Sequence, residues 1–174
     1  PNAGRSGVSG AISLDSGTTS QGNSGSISMN TGEASMGHGG DVRLRVGTGH
    51  ADNGGDVLIT AGETTAKAKV GGDVVITAGE GSNRAAADGG DGGRVQIYGG
   101  AGQGGRSTTD HGGNVEIAGG YSRTARGGSF WLRTGYGAAT SSGLIDISTA
   151  NAGAGPGGVS GEISIYTGTT SLGN

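Results

Sequence analysis

The chain has 174 residues, of which 11 are Lys or Arg and 14 are Asp or Glu, so its formal net charge is -3. This balance provides no basic footprint for nucleic acid, and no apolar run is long enough to predict a membrane span. Glycine supplies 44 residues and cysteine none, which excludes a disulfide framework and cysteine-based metal sites. Glycine does not recur at every third residue, so collagen is excluded as well.

One short motif recurs ten times along the chain: Gly, any residue, aliphatic, any, aliphatic, any two, then usually Gly. The first copy spans 10–17 and the last spans 161–168, and successive copies start 15 to 21 residues apart. The remaining copies begin at Gly25, Gly40, Gly55, Gly72, Gly93, Gly113, Gly128 and Gly143. A unit this short does not fold alone, so the repeat predicts stacking of neighbouring units.

Within each copy the apolar residues alternate with mixed ones, which is typical of a strand with one buried face. The predicted inward pairs are Ile12/Leu14, Ile27/Met29, Val42/Leu44, Val57/Ile59, Val74/Ile76, Val95/Ile97, Val115/Ile117, Phe130/Leu132, Ile145/Ile147 and Ile163/Ile165. The predicted fold is therefore all-β: a β-solenoid (β-helix) of about ten short coils of 15–21 residues with a thin aliphatic core. A disordered Gly/Ser chain is the main alternative, but it has no reason to keep apolar residues in two fixed phases.

A longer period also appears, because residues 1–23 align with residues 152–174 at an offset of 151, with 14 of the 23 positions identical. We therefore expect residues 1–174 to be one continuous solenoid segment and an excerpt of a longer super-repeat array.

Three aspartates occupy the same place in successive copies and are weak candidates for calcium ligands. Asp41, Asp56 and Asp73 each follow a Gly-Gly pair, so stacked coils would align their carboxylates in a ladder. The alternative is an aspartate that hydrogen-bonds its own turn backbone. No cofactor is otherwise expected.

The aromatic residues are few, and Trp131 lies at an outward phase beside Arg133 and Tyr136, while Tyr98 shares the outward column of Arg133. Exposed aromatic rings stack on sugars, so these four residues are the candidate binding site. The alternative is packing of Trp131 against a loop or a lateral partner. No spacing of Ser, His and Asp or of paired carboxylates marks a catalytic site, so an enzyme is not expected.

The motifs at 24–32, 54–62 and 71–79 resemble the large Gly/Ser/Thr-rich repeat proteins of diatoms and related algae. That resemblance implies an extracellular or cell-surface protein that forms a stiff rod, fibre or adhesive strand. The partners expected are further copies, joined end to end or laterally, and possible surface glycans. The alternative function is a binding module that uses an outward solenoid face for ice, mineral or carbohydrate.

Overall fold

A computed structural model describes residues 8–106, 108–153 and 158–169, and these residues contain neither a helix nor a strand. The backbone is irregular, with bends and short turns in the connections between the motifs. The predicted β-solenoid is therefore wrong. The chain divides into two units, Pro1–Thr77 and Ala78–Asn174. The alignment at an offset of 151 lies partly outside the described residues.

The structure differs from the predicted solenoid in the point at which each motif meets the one before it. A Cβ placed on Gly72 would lie 3.5 Å from the Cβ of Ala61, near the end of the preceding motif. Stacked coils would instead put Gly72 beside Gly55, the first residue of that motif. A fully extended motif separates its two ends by about 23 Å, so the two arrangements exclude each other. Successive motifs meet end to start and do not stack.

The same meeting point recurs at all nine junctions between motifs. We call it a loop closure: the first glycine of a motif faces the seventh residue of the motif before it. The nine closures are Ser16 with Gly25, Thr31 with Gly40, Val46 with Gly55, Ala61 with Gly72, Ala78 with Gly93, Gly99 with Gly113, Gly119 with Gly128, Thr134 with Gly143, and Thr149 with Gly161.

The loops take up all of the variation in repeat length. Each motif runs seven positions from its first to its eighth residue, whereas the connection to the next motif varies from 8 to 14 positions. The two longest connections, 79–93 and 100–113, carry the polar insertions around Asn83 and Arg106. Because each loop returns to its own closure, an insertion lengthens the loop without separating the motifs on either side, as in an Ω-loop.

End-to-start packing leaves the chain without an apolar interior. None of the described residues is buried, and the third and fifth residues of the ten motifs are all between 46% and 91% exposed. The chain exposes 17667 Å², whereas a folded protein of its mass exposes about 7,500 Å² and its unfolded chain about 24,000 Å². The thin aliphatic core that the sequence predicts is therefore absent from the described residues.

Backbone pairing is sparse for the same reason. The described residues make eight backbone-to-backbone hydrogen bonds, all within or across the loops. A globular chain makes roughly one internal hydrogen bond per residue, mostly between backbone groups. The interior of each motif therefore has no backbone partner among the described residues.

A search of the described ranges finds no helix that is long and apolar enough to cross a membrane.

Candidate interaction surface

Each motif segment presents two chemically different faces. In six of the ten segments, neighbouring side chains at the intervening positions contact each other two residues apart. Side chains at i and i+2 share one face of an extended backbone, so these contacts define a polar face. The six contacts join Ser13 with Asp15, Ser28 with Asn30, Asp41 with Arg43, Gln96 with Tyr98, Trp131 with Arg133, and Glu162 with Ser164.

Five of the six contacts of the polar face are hydrogen bonds between exposed groups, and the sixth is the cation–π contact of Trp131 with Arg133. The Ser13 hydroxyl donates to the Asp15 carboxylate at 2.6 Å, and the Ser164 hydroxyl donates to Glu162 at the same distance. The Asn30 amide donates to the Ser28 hydroxyl at 2.7 Å. These side chains thus obtain partners from their own segment.

The opposite face carries the aliphatic pairs, and it is more covered than the polar face. Adjacent residues show this most clearly: Val57 is 59% exposed and Leu58 88%, while Ile145 is 46% exposed and Leu144 85%. The alternation in the sequence is therefore visible as a difference in exposure. We call the third and fifth residues of the motif segments the aliphatic face.

The predicted aromatic site is only partly assembled. The Arg133 guanidinium carbon lies 4.7 Å from the centroid of the Trp131 ring, a cation–π arrangement on one side of an indole that is 70% exposed. Tyr98 lies in a different segment, where its hydroxyl oxygen accepts a hydrogen bond from the Gln96 amide. Tyr136 follows the segment of Trp131 and is 88% exposed. The structure thus joins Trp131 with Arg133 and shows Tyr98 engaged within its own segment.

The three aspartates proposed as a calcium ladder lie in three different segments. Asp41 forms an ion pair with Arg43 at 2.5 Å, in which both side chains are largely exposed. Asp56 and Asp73 begin segments that meet end to start, which removes the ladder because like positions no longer stack. Over the described ranges, no group of three or more His, Asp or Glu residues is placed to hold a metal ion.

A cavity beside the segment 40–47 is lined by the four consecutive residues Val42, Arg43, Leu44 and Arg45. Consecutive residues of an extended backbone point alternately to opposite faces, so they do not converge on one ligand. This depression therefore does not form an enclosed binding site.

The residue that sequence reasoning missed is the seventh of each motif. It has the same parity as the aliphatic pair, so it lies on the aliphatic face and meets the next motif there. The signal was present, because this position holds only Ser, Thr, Val, Ala or Gly in all ten copies. Restriction to short side chains is what a close approach of two backbone segments requires.

The size of this seventh residue correlates with whether the closure is hydrogen-bonded. Five closures contain a bond from the N–H of the first glycine to the carbonyl of the eighth residue of the preceding motif. Its length is 2.8 Å where the seventh residue is Gly99 or Gly119, 2.9 Å for Ala61 and Ala78, and 3.2 Å for Thr134.

The remaining four closures lack this bond, and their seventh residues are Ser16, Thr31, Val46 and Thr149. A Cβ on Gly55 would lie 2.9 Å from a methyl carbon of Val46, so the larger side chain occupies the space between the two backbones. At Ser16 the following Gly17 has a φ of 81°, which redirects the backbone at the eighth position.

Comparison with known proteins returns no matching family model, and neither the curated proteins nor the solved structures contain a significant match.

Proposed function

We propose that this chain is a structural repeat segment of an extracellular or cell-surface material, a fibre or adhesive strand, and that it performs no catalysis. Its mechanism is association with further copies of itself. The observation that carries this proposal is the aliphatic face, which is repeated ten times and is at least 46% exposed at every one of its positions.

The amount of exposed surface supports association over a small-molecule function. The chain exposes 17667 Å², about 10,000 Å² more than a folded chain of its mass, while a specific protein–protein interface buries about 1,600 Å² in total. Exposed surface on this scale, with apolar side chains in every motif, favours a macromolecular partner that runs along many motifs.

The composition supports an extended material over a compact enzyme. Most of the large apolar residues lie in short segments, and the connections between them are rich in glycine and small or polar residues. The resemblance of the motifs at 54–62 and 71–79 to algal Gly/Ser/Thr-rich repeat proteins supports an extracellular location.

Analytical ultracentrifugation over a concentration series, combined with negative-stain electron microscopy, tests the proposal. We expect the sedimentation coefficient to rise with concentration and elongated assemblies to form. A chain that remains monomeric at every concentration, with no assemblies on the grid, contradicts the proposed function.

A second function, a module that binds surface carbohydrate, is favoured by one observation. Trp131 is 70% exposed while Arg133 covers one side of its ring, which leaves an aromatic surface beside a hydrogen-bond donor. Glycan-array binding that Trp131→Ala abolishes and the control Tyr121→Ala retains supports this module. Ice and mineral binding gain no comparable support, since the Thr-Thr pairs at 18–19, 64–65 and 108–109 lie in loops of different length and Thr170 is outside the described residues.

A further inference from the structure

The two faces of the motif segments differ in whether they have partners. On the polar face, six segments satisfy side chains by contacts between residues two apart. On the aliphatic face of the described segments, no residue is buried, and the third and fifth residues share that face because they lie two apart in an extended backbone. The asymmetry identifies the aliphatic face as the surface that lacks a partner.

The backbone of the same segments also lacks a partner. The eight backbone hydrogen bonds of the described residues lie within the loops or at their closures, and none joins the interiors of two segments. An extended segment with free N–H and C=O groups is a template for pairing with another chain. Apolar side chains and free backbone groups therefore occur together on each segment.

We infer that the occupant of the aliphatic face is a second copy of this chain, packed laterally, segment against segment. This inference rests on the proposed function and adds to it that the copies lie side by side, with the aliphatic face of each segment against a segment of the other copy. The partner has to present short apolar segments of constant length separated by loops, and the chain itself has that pattern ten times.

The loop closures and the net charge are compatible with such a partner. Each loop returns to its closure, so connections of 8 to 14 positions do not disturb the succession of segments that a second copy has to match. The net charge of -3 over 174 residues gives only weak repulsion between copies. It also provides no attraction to an anionic membrane, which is the competing occupant of an apolar surface.

Three pairs of adjacent residues provide a matched test on the full chain. One variant carries Val57→Asp, Val74→Asp and Ile145→Asp on the aliphatic face. The control carries Leu58→Asp, Val75→Asp and Leu144→Asp on the opposite face. Both variants replace three aliphatic residues and add the same charge, and they differ only in which face they change.

We expect sedimentation equilibrium to show association weakened at least about tenfold in the aliphatic-face variant, because each charge would be buried against apolar side chains. The control variant should associate as the unmodified chain does. Equal effects of the two variants, with the unmodified chain still associating, overturn this inference and leave the proposed function standing. An unmodified chain that is monomeric throughout overturns both.

Flotation with vesicles of mixed anionic and zwitterionic lipid separates the competing occupant. We expect no flotation of the unmodified chain. Flotation that the aliphatic-face variant loses and the control retains assigns the face to lipid and overturns the inference.

Discussion

Unit Pro1–Thr77 and unit Ala78–Asn174 contain the same motif but differ in how their loops close. In the first unit one closure of four is hydrogen-bonded, at Gly72, while in the second unit four of five are. Loop length does not explain the difference, since connections of 8 positions occur among both the hydrogen-bonded and the unbonded closures. The seventh residue of the motif accounts for most of it, because all four closures with Gly or Ala there are bonded and only one of the five with Ser, Thr or Val, at Thr134, is.

The comparison teaches that Gly or Ala as the seventh residue favours the local backbone pairing, while Thr134 pairs with the longest of the five bonds. A hydrogen bond between two exposed backbone groups contributes about 0.5–1.5 kcal/mol, so a side chain that holds the two backbones apart is enough to remove it. With no apolar core among the described residues to oppose such changes, each closure should respond to substitution independently of the others.

The largest change in amide exchange is expected from a substitution at a closure where the two backbones are in direct contact. A Cβ on Gly119 would lie 2.5 Å from the carbonyl oxygen of Gly128, so Gly119→Ala forces the two apart. We expect the amide of Gly128, which donates to Gly120 at 2.8 Å, to exchange with solvent about tenfold faster by NMR. Gly120→Ala is the control, because nothing lies within 4 Å of a Cβ at that position. Equal exchange in the two variants would contradict the account of the closure.

A smaller effect is expected when a hydrogen-bonded closure is given the side chain of an unbonded one. Ala61→Val reproduces the residue at Val46 and should lengthen or break the bond from Gly72 to Gly62, now 2.9 Å. Exchange of the Gly72 amide with solvent should become roughly fivefold faster, which corresponds to the free energy of one exposed hydrogen bond. Ala66→Val, in the same loop but away from the closure, should leave Gly72 unchanged. If both substitutions accelerate exchange of the Gly72 amide equally, the change comes from any added bulk in the loop, and the role given to the seventh residue is wrong.

The smallest effect is expected for the reverse change. Thr31→Ala gives an unbonded closure the side chain of Ala61 and Ala78, so the amide of Gly40 should gain protection of about twofold to fivefold. Ser28→Ala, on the polar face of the same segment, is the control and should not protect Gly40. Protection that fails to appear would show that loop conformation, and not the seventh residue, keeps this closure open.

Part of this structure is readable in the sequence, and part is not. The alternation that separates Val57 from Leu58 and Ile145 from Leu144 predicts the two faces, because it depends only on the geometry of an extended segment. The pairing of Trp131 with Arg133 follows from the same rule. These are local features, and the sequence contains all the information they need.

The arrangement of the segments depends on the loops, and there the sequence is ambiguous. A glycine at the start of a motif is compatible with stacking on the previous first residue or with meeting the previous seventh residue. In two of the loops, 62–72 and 79–93, the backbone turns at Ala68 and Asp88, each with a φ of 57°. An alanine carries no signal for that conformation, which residues with a Cβ adopt rarely. The β-solenoid was predicted from the alternation and spacing of the motifs, and neither of these determines where a loop returns.

The end-to-start arrangement is tested most directly by one distance within the first unit. The chain has no cysteine, so Asp56→Cys and Asp73→Cys give a specifically labelled pair for double electron–electron resonance in an excess of unlabelled chain. These residues occupy the same position in consecutive motifs, and the closure of Gly72 on Ala61 predicts a backbone separation above about 15 Å. A backbone separation of about 5 Å, the spacing of adjacent strands, would instead broaden the continuous-wave spectrum of the doubly labelled chain; that broadening would show that the motifs stack and would contradict this account.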